Sequence, residues 1–564
     1  MIRSKKGIIL ILSLLVLSVV MILTSIYFSG LITERKSSET ERGGLQALDF
    51  AEAAANQGVA ELRKRIRVDL KARVALVTNG LTIRNYVTNN DPLGFLANYA
   101  YASGQPQFTV SAGVASVGIS PLSLNSLVPG NFSATINVTA AGAPVNPTNE
   151  VYVFQYNYWI DASGNVNTGV LNVNRQIRLS DGSFSITVRR DNFAKFALFT
   201  VHHRTPSGTT VWFTANTNFT GPVATNERFS FANNPSAHFT EEVTQHETRA
   251  RFYNDNDPIL LAADANGTID VPIFDRGFQR GYGIIDLAPS IGQNDLKYQA
   301  LGGGSEPGSN GIYVPNNGTA LTGGIYIRGN QGNSSDNPII NMGVGANGPV
   351  YTITRGTTTK IITVDYAANQ TTIQTQGGGT DTYQGIPDGV GDEGILIYIN
   401  DDVQSLSGTV QKDTGITVSS ERDIVITNHI RYQEYNPSPL SATGYRNVLG
   451  ILSWGGDVRI STSAPNNLDI HGVVMAHNGI FTVDNYNVGS PRGLATLLGG
   501  AITEFYGAFG TFSGGTQQSG YGRNFVYDSR MLQGIAPPYF PYMTNFTAFE
   551  SGLDSGLTWR DMRL

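Results

Sequence analysis

From Phe274 to Tyr282 the residue types come closest to a binding chemistry. Phe274, Arg276, Phe278, Arg280 and Tyr282 alternate with Asp275, Gly277, Gln279 and Gly281. Successive side chains on a β-strand point to opposite faces, so the spacing predicts three rings and two guanidinium groups on one face. Single-stranded nucleic acid is held by that mixture of stacking and charge. The alternation also fits an aromatic strand buried in a core, with each arginine stem reaching out to solvent. Arg276, Phe278, Arg280 and Tyr282 are therefore the candidate binding residues. Arg189-Arg190 and Arg249 with Arg251 are weaker candidates that read as solvated strand faces.

The other reactive types are scattered. Histidines stand at His202, His203, His238, His246, His429, His471 and His477, and none falls in an H-x3-H or H-E-x-x-H spacing. His471 and His477 read as polar face or corner residues. Asp255-Asn256-Asp257 and Asp264-Ala265-Asn266-Gly267 begin a calcium-loop spacing without its closing Glu, and read as turns. Asp388 to Glu393 is a third acidic, Gly-rich turn. No carboxylate pair recurs at a fixed spacing, and no nucleophile elbow or phosphate loop occurs in a suitable context. With no cysteine, disulfides, thiolate metal sites and thiol nucleophiles are excluded. The expectation is a non-enzyme with no catalytic residues, no metal and no cofactor.

The elements that position these residues follow from composition and pattern. A chain of 564 residues is expected to form two or three domains. It holds 64 Gly, many of them beside Asn, Asp, Thr and Ser, which favours short strands joined by tight turns. Residues 1–77 hold twelve Lys/Arg and seven Asp/Glu, a surplus of five positive charges. The rest therefore carries -11 of the net -6. An acidic body argues against bulk, sequence-blind nucleic-acid binding and leaves room only for a local basic groove.

Gly7 to Thr33 carries no charge, and Ile8 to Ile32 is dominated by Ile, Leu and Val. About 25 such residues can span a bilayer as a helix. The run is too long for the core of a cleaved secretory signal, and no A-x-A-like site follows it. Arg3, Lys5 and Lys6 should stay cytoplasmic, which exports everything after residue 33. The apolar spacing continues through Leu45, Leu48, Ala51, Ala55, Val59, Leu62, Ile66, Leu70, Val74 and Val77, one stripe on a helix. One long helix over 8–77 is predicted, with a kink at Gly43-Gly44 and a stop at Asn79-Gly80.

Lys5-Lys6-Gly7 before Ile8-Ile9-Leu10 resembles a prepilin leader. Gly7 to Arg67, with Ala51-Glu52-Ala53-Ala54, is similar to the N-terminal region of PilX-type minor pilins. The resemblance implies cleavage between Gly7 and Ile8 by a prepilin peptidase. It also implies assembly with other pilins by the pilus assembly machinery. Major pilins of this kind carry Glu at the fifth mature position, which here is Leu12. A subunit at a filament tip has no neighbour on one side and leaves no amine unpaired there.

Residues 105–192 read as an antiparallel sheet. Val151 to Trp159 is a strand, Asp161-Ala162-Ser163-Gly164 a turn, and Arg175–Leu179 with Ser183–Val188 a hairpin across Asp181-Gly182. From about residue 195 a pattern apolar–x–Gly–x–Val/Ile recurs. It covers Phe219 to Val223, Leu321 to Ile325, Leu406 to Val410, Ile470 to Val474 and Leu498 to Ile502. The last three copies add Gly415, Gly479 and Gly507, and Gly472 and Gly500 are 28 residues apart. Gly at a fixed bend, with Val/Ile stacked on the next turn, is the logic of a parallel β-solenoid. The stretch 290–395 reads as loops leaving it.

Thr220 to Asn226, Asp423 to Ile430 and Val448 to Trp454 resemble a solenoid-type domain found in bacterial pilin-like surface proteins. The combined layout is similar to competence minor pilins of the Thermus type. The fold implied is mainly β with a long N-terminal α-helix: a pilin-like helix plus antiparallel sheet carrying a large right-handed parallel β-solenoid. The divisions are a leader at 1–7, the helix at 8–77 (transmembrane at 8–32), a β-rich pilin-like domain at 78–194 and the solenoid at 195–512. An extended segment at 513–564, with Pro537-Pro538 and Pro541, returns to the pilin-like domain. The role implied is a minor pilin or pseudopilin of a type IV pilus-like system. It would sit in the inner membrane before assembly and at the cell surface or pilus tip afterwards. There it would bind extracellular DNA in natural transformation. The alternative is a membrane-anchored surface adhesin or structural protein that binds glycans or proteins.

Overall fold

The computed structural model describes residues 3–124, 130–148, 151–168, 171–214, 217–231, 237–253, 259–261, 271–287, 292–330, 334–513, 516–554 and 556–561. The protein is mainly β, with one long N-terminal helix and antiparallel and mixed sheets. It divides into two compact units. One comprises Met1–Arg190 and Asn545–Leu564, and the other is Asp191–Thr544, inserted in the chain between them.

In the first unit, helix α1 (Arg3–Lys64) continues through a π-helical turn (Arg65–Leu70) into a last short piece, Lys71–Val74. It is long and apolar enough to cross a membrane: its most apolar window has mean hydropathy 2.9 and no buried residue. Leu10, Met21 and Leu23 are typical, each exposed. From Ala47 onward the apolar stripe is covered, and Ala51, Ala55, Leu62, Ile66, Leu70 and Val74 are buried. The stripe is thus as predicted from Ala51 on, whereas Leu45 stays exposed.

The partner of that stripe is a sheet. Its strands are β1 (Thr109–Ser111), β2 (Val114–Leu124), β3 (Gly130–Ala140), β4 (Val145–Thr148), β5 (Val151–Asn167) and β6 (Asn172–Asn192). They order as β1-β2-β3-β5-β6, followed by Tyr542–Ser551, with β4 beside β5 and Thr558–Asp561 beside β6. The alternation in β5 buries Tyr152, Phe154, Tyr156 and Tyr158, and Phe154 stacks on Phe95 with centroids 4.1 Å apart. The helix approaches the sheet closely. A Cβ at Gly164 would lie 2.1 Å from the Ala47 carbonyl oxygen, and one at Gly43 2.9 Å from Thr168 Cγ2.

Three local expectations are corrected in this unit, and a fourth is extended. The helix assignment runs unbroken through Gly43-Gly44, and both glycines are buried, so they serve close packing. The long helix does end before Asn79, at Val74, and Asn79 also starts the next one: its side chain accepts the Leu81 N–H at 3.0 Å and caps Gly80–Thr88. Asp161 to Gly164 lies inside β5, hydrogen-bonded on both sides by β3 and β6, so no turn can form. Asp181-Gly182 is an irregularity within a 21-residue strand, where Asp181 adopts φ 66° and the register with β5 shifts between Tyr158 and Ile160.

The second unit is organised by parallel pairing. One row of residues, matched strand to strand, runs Ile325, Ile397, Val418, Ile451, Val474, Ala501, Leu198, Val223, Val243 and Phe278. All but Phe278 are buried. A second row runs Val403, Ile424, Val458 and Phe481. In the first row the chain enters mid-stack: Leu198 pairs with Val223 on one side and with Ala501, near the end of the unit, on the other. Between strands of the second row the corners repeat one device. Asp402 accepts the Asp423 N–H, Asp423 the Asp457 N–H, and Asp457 the Ile480 N–H, at 3.0, 2.8 and 2.9 Å.

The Gly pattern places Val223, Ile325 and Val474 on the first row, but not Val410, which pairs with Tyr432. Gly472 pairs with Gly499 rather than Gly500, because Ile470 aligns with Leu497. The described residues of 290–395 are not all loops. They include a helix (Gln293–Ala300) and an antiparallel run of Ile339–Val344, Pro349–Arg355, Thr358–Asp365, Gln370–Thr375 and Thr380–Gln384. Its Thr-rich alternation has the two-residue period of strands.

Candidate functional site

The 274–282 segment does not form one strand. Ile273–Phe274 and Phe278–Gln279 are separate short strands, because Gly277 takes φ 85° and turns the chain between them. The two strands pair in parallel with His238–Phe239 and Val243–Gln245 respectively. Turning splits the five residues into different environments. Phe274 and Phe278, centroids 5.0 Å apart, pack on Phe231 and Phe239 inside an aromatic cluster that also holds Phe213, Phe219 and Phe252. Both rings are half-buried and pack against the core.

The cations are placed differently from one another. Arg276 is exposed and its Nε lies 3.1 Å from Glu241 Oε2, an ion pair in solvent. The Arg280 guanidinium lies 4.1 Å from the Phe278 ring centroid, a cation–π contact over a half-buried ring. Tyr282 is fixed through its backbone: its N–H donates to Gln245 O at 2.9 Å and its carbonyl accepts from His246 Nδ1 at 2.8 Å. The structure therefore brings Phe274, Phe278 and Arg280 together and separates Arg276 and Tyr282 from them. The expected single face of three rings and two cations is corrected, since alternation yields one face only while the backbone stays extended.

Carboxylates also sit beside the neighbouring basic side chains. His238 Nε2 meets Asp275 at 2.8 Å, His202 meets Glu227 at 2.8 Å, and Arg228 meets Glu247 at 3.1 Å. Of the weaker candidates, Arg189 and Arg190 lie over Phe549 and Phe546, and Arg251 donates to Thr210 Oγ1 at 3.2 Å. Gly7 and Ile8 lie in the first turns of α1, where Ile8 is exposed.

The histidines split as well. His471, expected on a face or corner, is buried, with Nδ1 accepting the Tyr432 N–H at 3.1 Å. Burial pushes it down to about 4, against the opposing pull of the Asp469 carboxylate. His203 sits against Phe213, Phe229 and Tyr506, and burial pushes it down to about 3. At neutral pH both are uncharged. Among the described residues no three His, Cys, Asp or Glu side chains are grouped to hold a metal ion. Asp255 to Asp257 and Asp264 to Gly267 lie outside the described residues. In the turn of Asp388 to Glu393, the Asp388 carbonyl accepts from the Tyr539 hydroxyl and Glu393 Oε2 from the Tyr539 N–H.

One charged cluster has no precedent in the sequence reading. Lys297 Nζ stands 2.8 Å from Glu306 and 3.4 Å from Glu421, while Tyr326 donates to Glu306 and Tyr398 to Glu421. Every member has a partner, so the group clamps the Gln293–Ala300 helix. No local motif links residues so far apart in the chain.

Residues 151–247 match the family described as domain of unknown function (DUF4900). That span takes in β5, β6 and the first parallel strands of the second unit. No curated protein matches the chain. Among solved structures, the competence-associated pilin ComZ from Thermus thermophilus is similar at 11% identity and a TM-score of 0.26, over 92% of this chain and 98% of that one. A TM-score of that size does not establish a shared fold.

Proposed function

We propose that the chain is a pilin-like, membrane-anchored surface subunit that presents its inserted unit for binding and carries out no bond chemistry. The observation that carries this reading is the two-part character of α1. Its first part is apolar and exposed, and its second part is the buried face of a domain core. A segment that only tethered a domain would not need the same helix to complete that domain's core. The in-register parallel rows support reading residues 195–512 as a β-solenoid, whose turns bury their faces on one another.

In this reading a prepilin peptidase cuts between Gly7 and Ile8, other pilins are the assembly partners, and Leu12 suits a place at the filament tip. The ligand we propose, on the sequence resemblance, is extracellular DNA taken up in natural transformation. N-terminal sequencing of the protein from its own cells, with and without the peptidase, tests the first step. A mature chain beginning at Ile8 is expected, and a chain uncut in both is not compatible with a pilin. For DNA, a gel shift of the detergent-solubilised full chain is expected at low salt and lost at high salt. No shift at low salt removes DNA as a direct ligand.

The second reading is a surface adhesin anchored outside any filament. It is favoured by the ion pair that neutralises Arg276. Immunogold label confined to filament ends supports the first reading, and label spread over the envelope supports the second.

A further inference from the structure

The antiparallel run from Ile339 to Gln384 has two unlike faces. Tyr351, Ile353, Ile362, Val364 and Ile373 point to one side and are buried. The opposite face is exposed or half-buried, and it is built from hydroxyls and amides. Across it one row runs Asn341, Thr352, Ile361, Gln374, Thr380, and the next runs Val350, Thr363, Thr372, Thr382. Among the described residues of these five strands, Asp365 is the only ionisable group on that face. It lies at a strand end, held by Asn347 Nδ2 at 2.9 Å. Lys360 and Asp381 have the opposite parity and face away.

The polar groups are ordered before any ligand arrives. Thr354 and Thr359 share a hydrogen bond at 2.9 Å, Thr372 and Thr382 one at 3.2 Å, and Asn341 Nδ2 donates to Ser407 Oγ at 3.1 Å. A hydroxyl has one donor and two acceptor positions, so a lateral bond leaves each group with unused capacity directed outward. The β-branched Thr side chains are stiff at χ1, which reduces the entropy lost on binding.

We propose that this face is a binding surface for an uncharged polysaccharide. Three occupants are distinguishable on charge and apolarity. A polyanion needs cations to neutralise its phosphates or carboxylates, and the face offers none. A protein partner or a second copy needs a central cluster of aromatic, Arg or large apolar anchors, and here only Ile339, Val350 and Ile361 interrupt the polar groups. A chain of sugar hydroxyls matches both the donor–acceptor character and the small methyl and aliphatic patches between. The site is separate from the 274–282 segment, and it stands whether or not the chain assembles into a filament.

The test is co-sedimentation of the detergent-solubilised full chain with cellulose, chitin and starch granules. Binding to at least one is expected, at a level unchanged between low and high salt. The triple variant T363V/T372V/T382V keeps the methyl groups and the strand preference while removing three hydroxyls. It is expected to lose affinity by about tenfold or more with an unchanged thermal midpoint. Q374A with T352V reads the other row and serves if the triple variant fails to fold. The proposal is overturned if the wild-type chain sediments with none of the three. It is equally overturned if salt abolishes binding, if folded variants bind as well as wild type, or if the face instead drives self-association in light scattering that these variants abolish.

Discussion

The first unit and the second solve strand pairing in opposite ways. In the first, β3, β5 and β6 are antiparallel neighbours, and each register follows from strands adjacent or nearly adjacent in the chain. In the rows of the second, partners are parallel and remote, outside the local antiparallel run of 339–384: the aspartate corners join residues 21, 34 and 23 positions apart, and Leu198 finds Ala501. An antiparallel register can be set by a turn, whereas a parallel one must be carried by side chains that recur from pass to pass. Stability in the second unit is therefore expected to be shared along the stack, while in the first it rests on one helix–sheet contact.

The largest effect is expected from Val474→Asp. Val474 is fully buried in the first row between Ile451 and Ala501, so a carboxylate there has no water and no cation. A loss of about 4 kcal/mol or more is expected. Hydrogen exchange should lose protection across 395–505 together, with β3, β5 and β6 retaining theirs. Loss confined to Leu468–Ala476 would break the idea of a shared stack. In the first unit, Gly164→Leu forces a side chain into the Ala47 backbone and is expected to cost about 3 kcal/mol. Protease sensitivity should then rise in α1 after Ala47 and in β5, and not in the parallel rows.

The same contrast decides what was legible in the sequence. The α1 stripe from Ala51 on and the strand at 151–159 need only local periodicity, and both stand where that periodicity puts them. Asp161 to Gly164 are turn-forming types, but strands flank them on both sides and tertiary pairing overrides the local preference, while at Asp181-Gly182 that preference survives only as a bulge inside a strand. The Gly repeat reached the right row at Val223, Ile325 and Val474 and slipped by one residue at Gly500, because close backbone approach selects Gly499, whose Cβ would meet Gly472 O at 2.0 Å. The aspartate corners were invisible, since unequal spacing hides them from any fixed period. Of the candidate binding residues, Phe278 and Arg280 stay together and Arg276 and Tyr282 part from them, for want of a signal in the alternation that Gly277 would turn.

A corner residue sharpens the comparison at smaller scale. Asp423 accepts the Asp457 N–H at 2.8 Å and faces Arg459 at 3.1 Å. Asp423→Ala leaves that N–H without its acceptor and is expected to cost about 1–3 kcal/mol, whereas Asp423→Asn keeps an acceptor and costs less. Chemical denaturation of the two variants separates the hydrogen bond from the charge. Equal losses would mean that the ion pair, rather than the ladder, holds the corner.

The smallest effect is expected where the first unit relies on charge. Asp554 accepts from Arg63 Nε at 2.7 Å and from Arg67 Nη2 at 2.8 Å, and Arg67 also holds Glu550 at 2.7 Å. The hydrogen bonds from Arg67 and then Arg63 hold the Asp554 carboxyl below its ordinary value. A carboxyl depressed in the folded state binds its proton more readily when unfolded, so its contribution is complete above the unfolded value near pH 3.9. It fades as the pH falls through the folded value. The site is half exposed, and salt should screen it. Asp554→Asn is therefore expected to lower the thermal midpoint slightly at pH 7 and low salt. The difference from wild type should shrink both in high salt and on acidification below the folded value. A difference that survives both conditions would mean that the Asp554 side chain acts through shape, and would bring this charged corner closer in kind to the packed rows of the second unit.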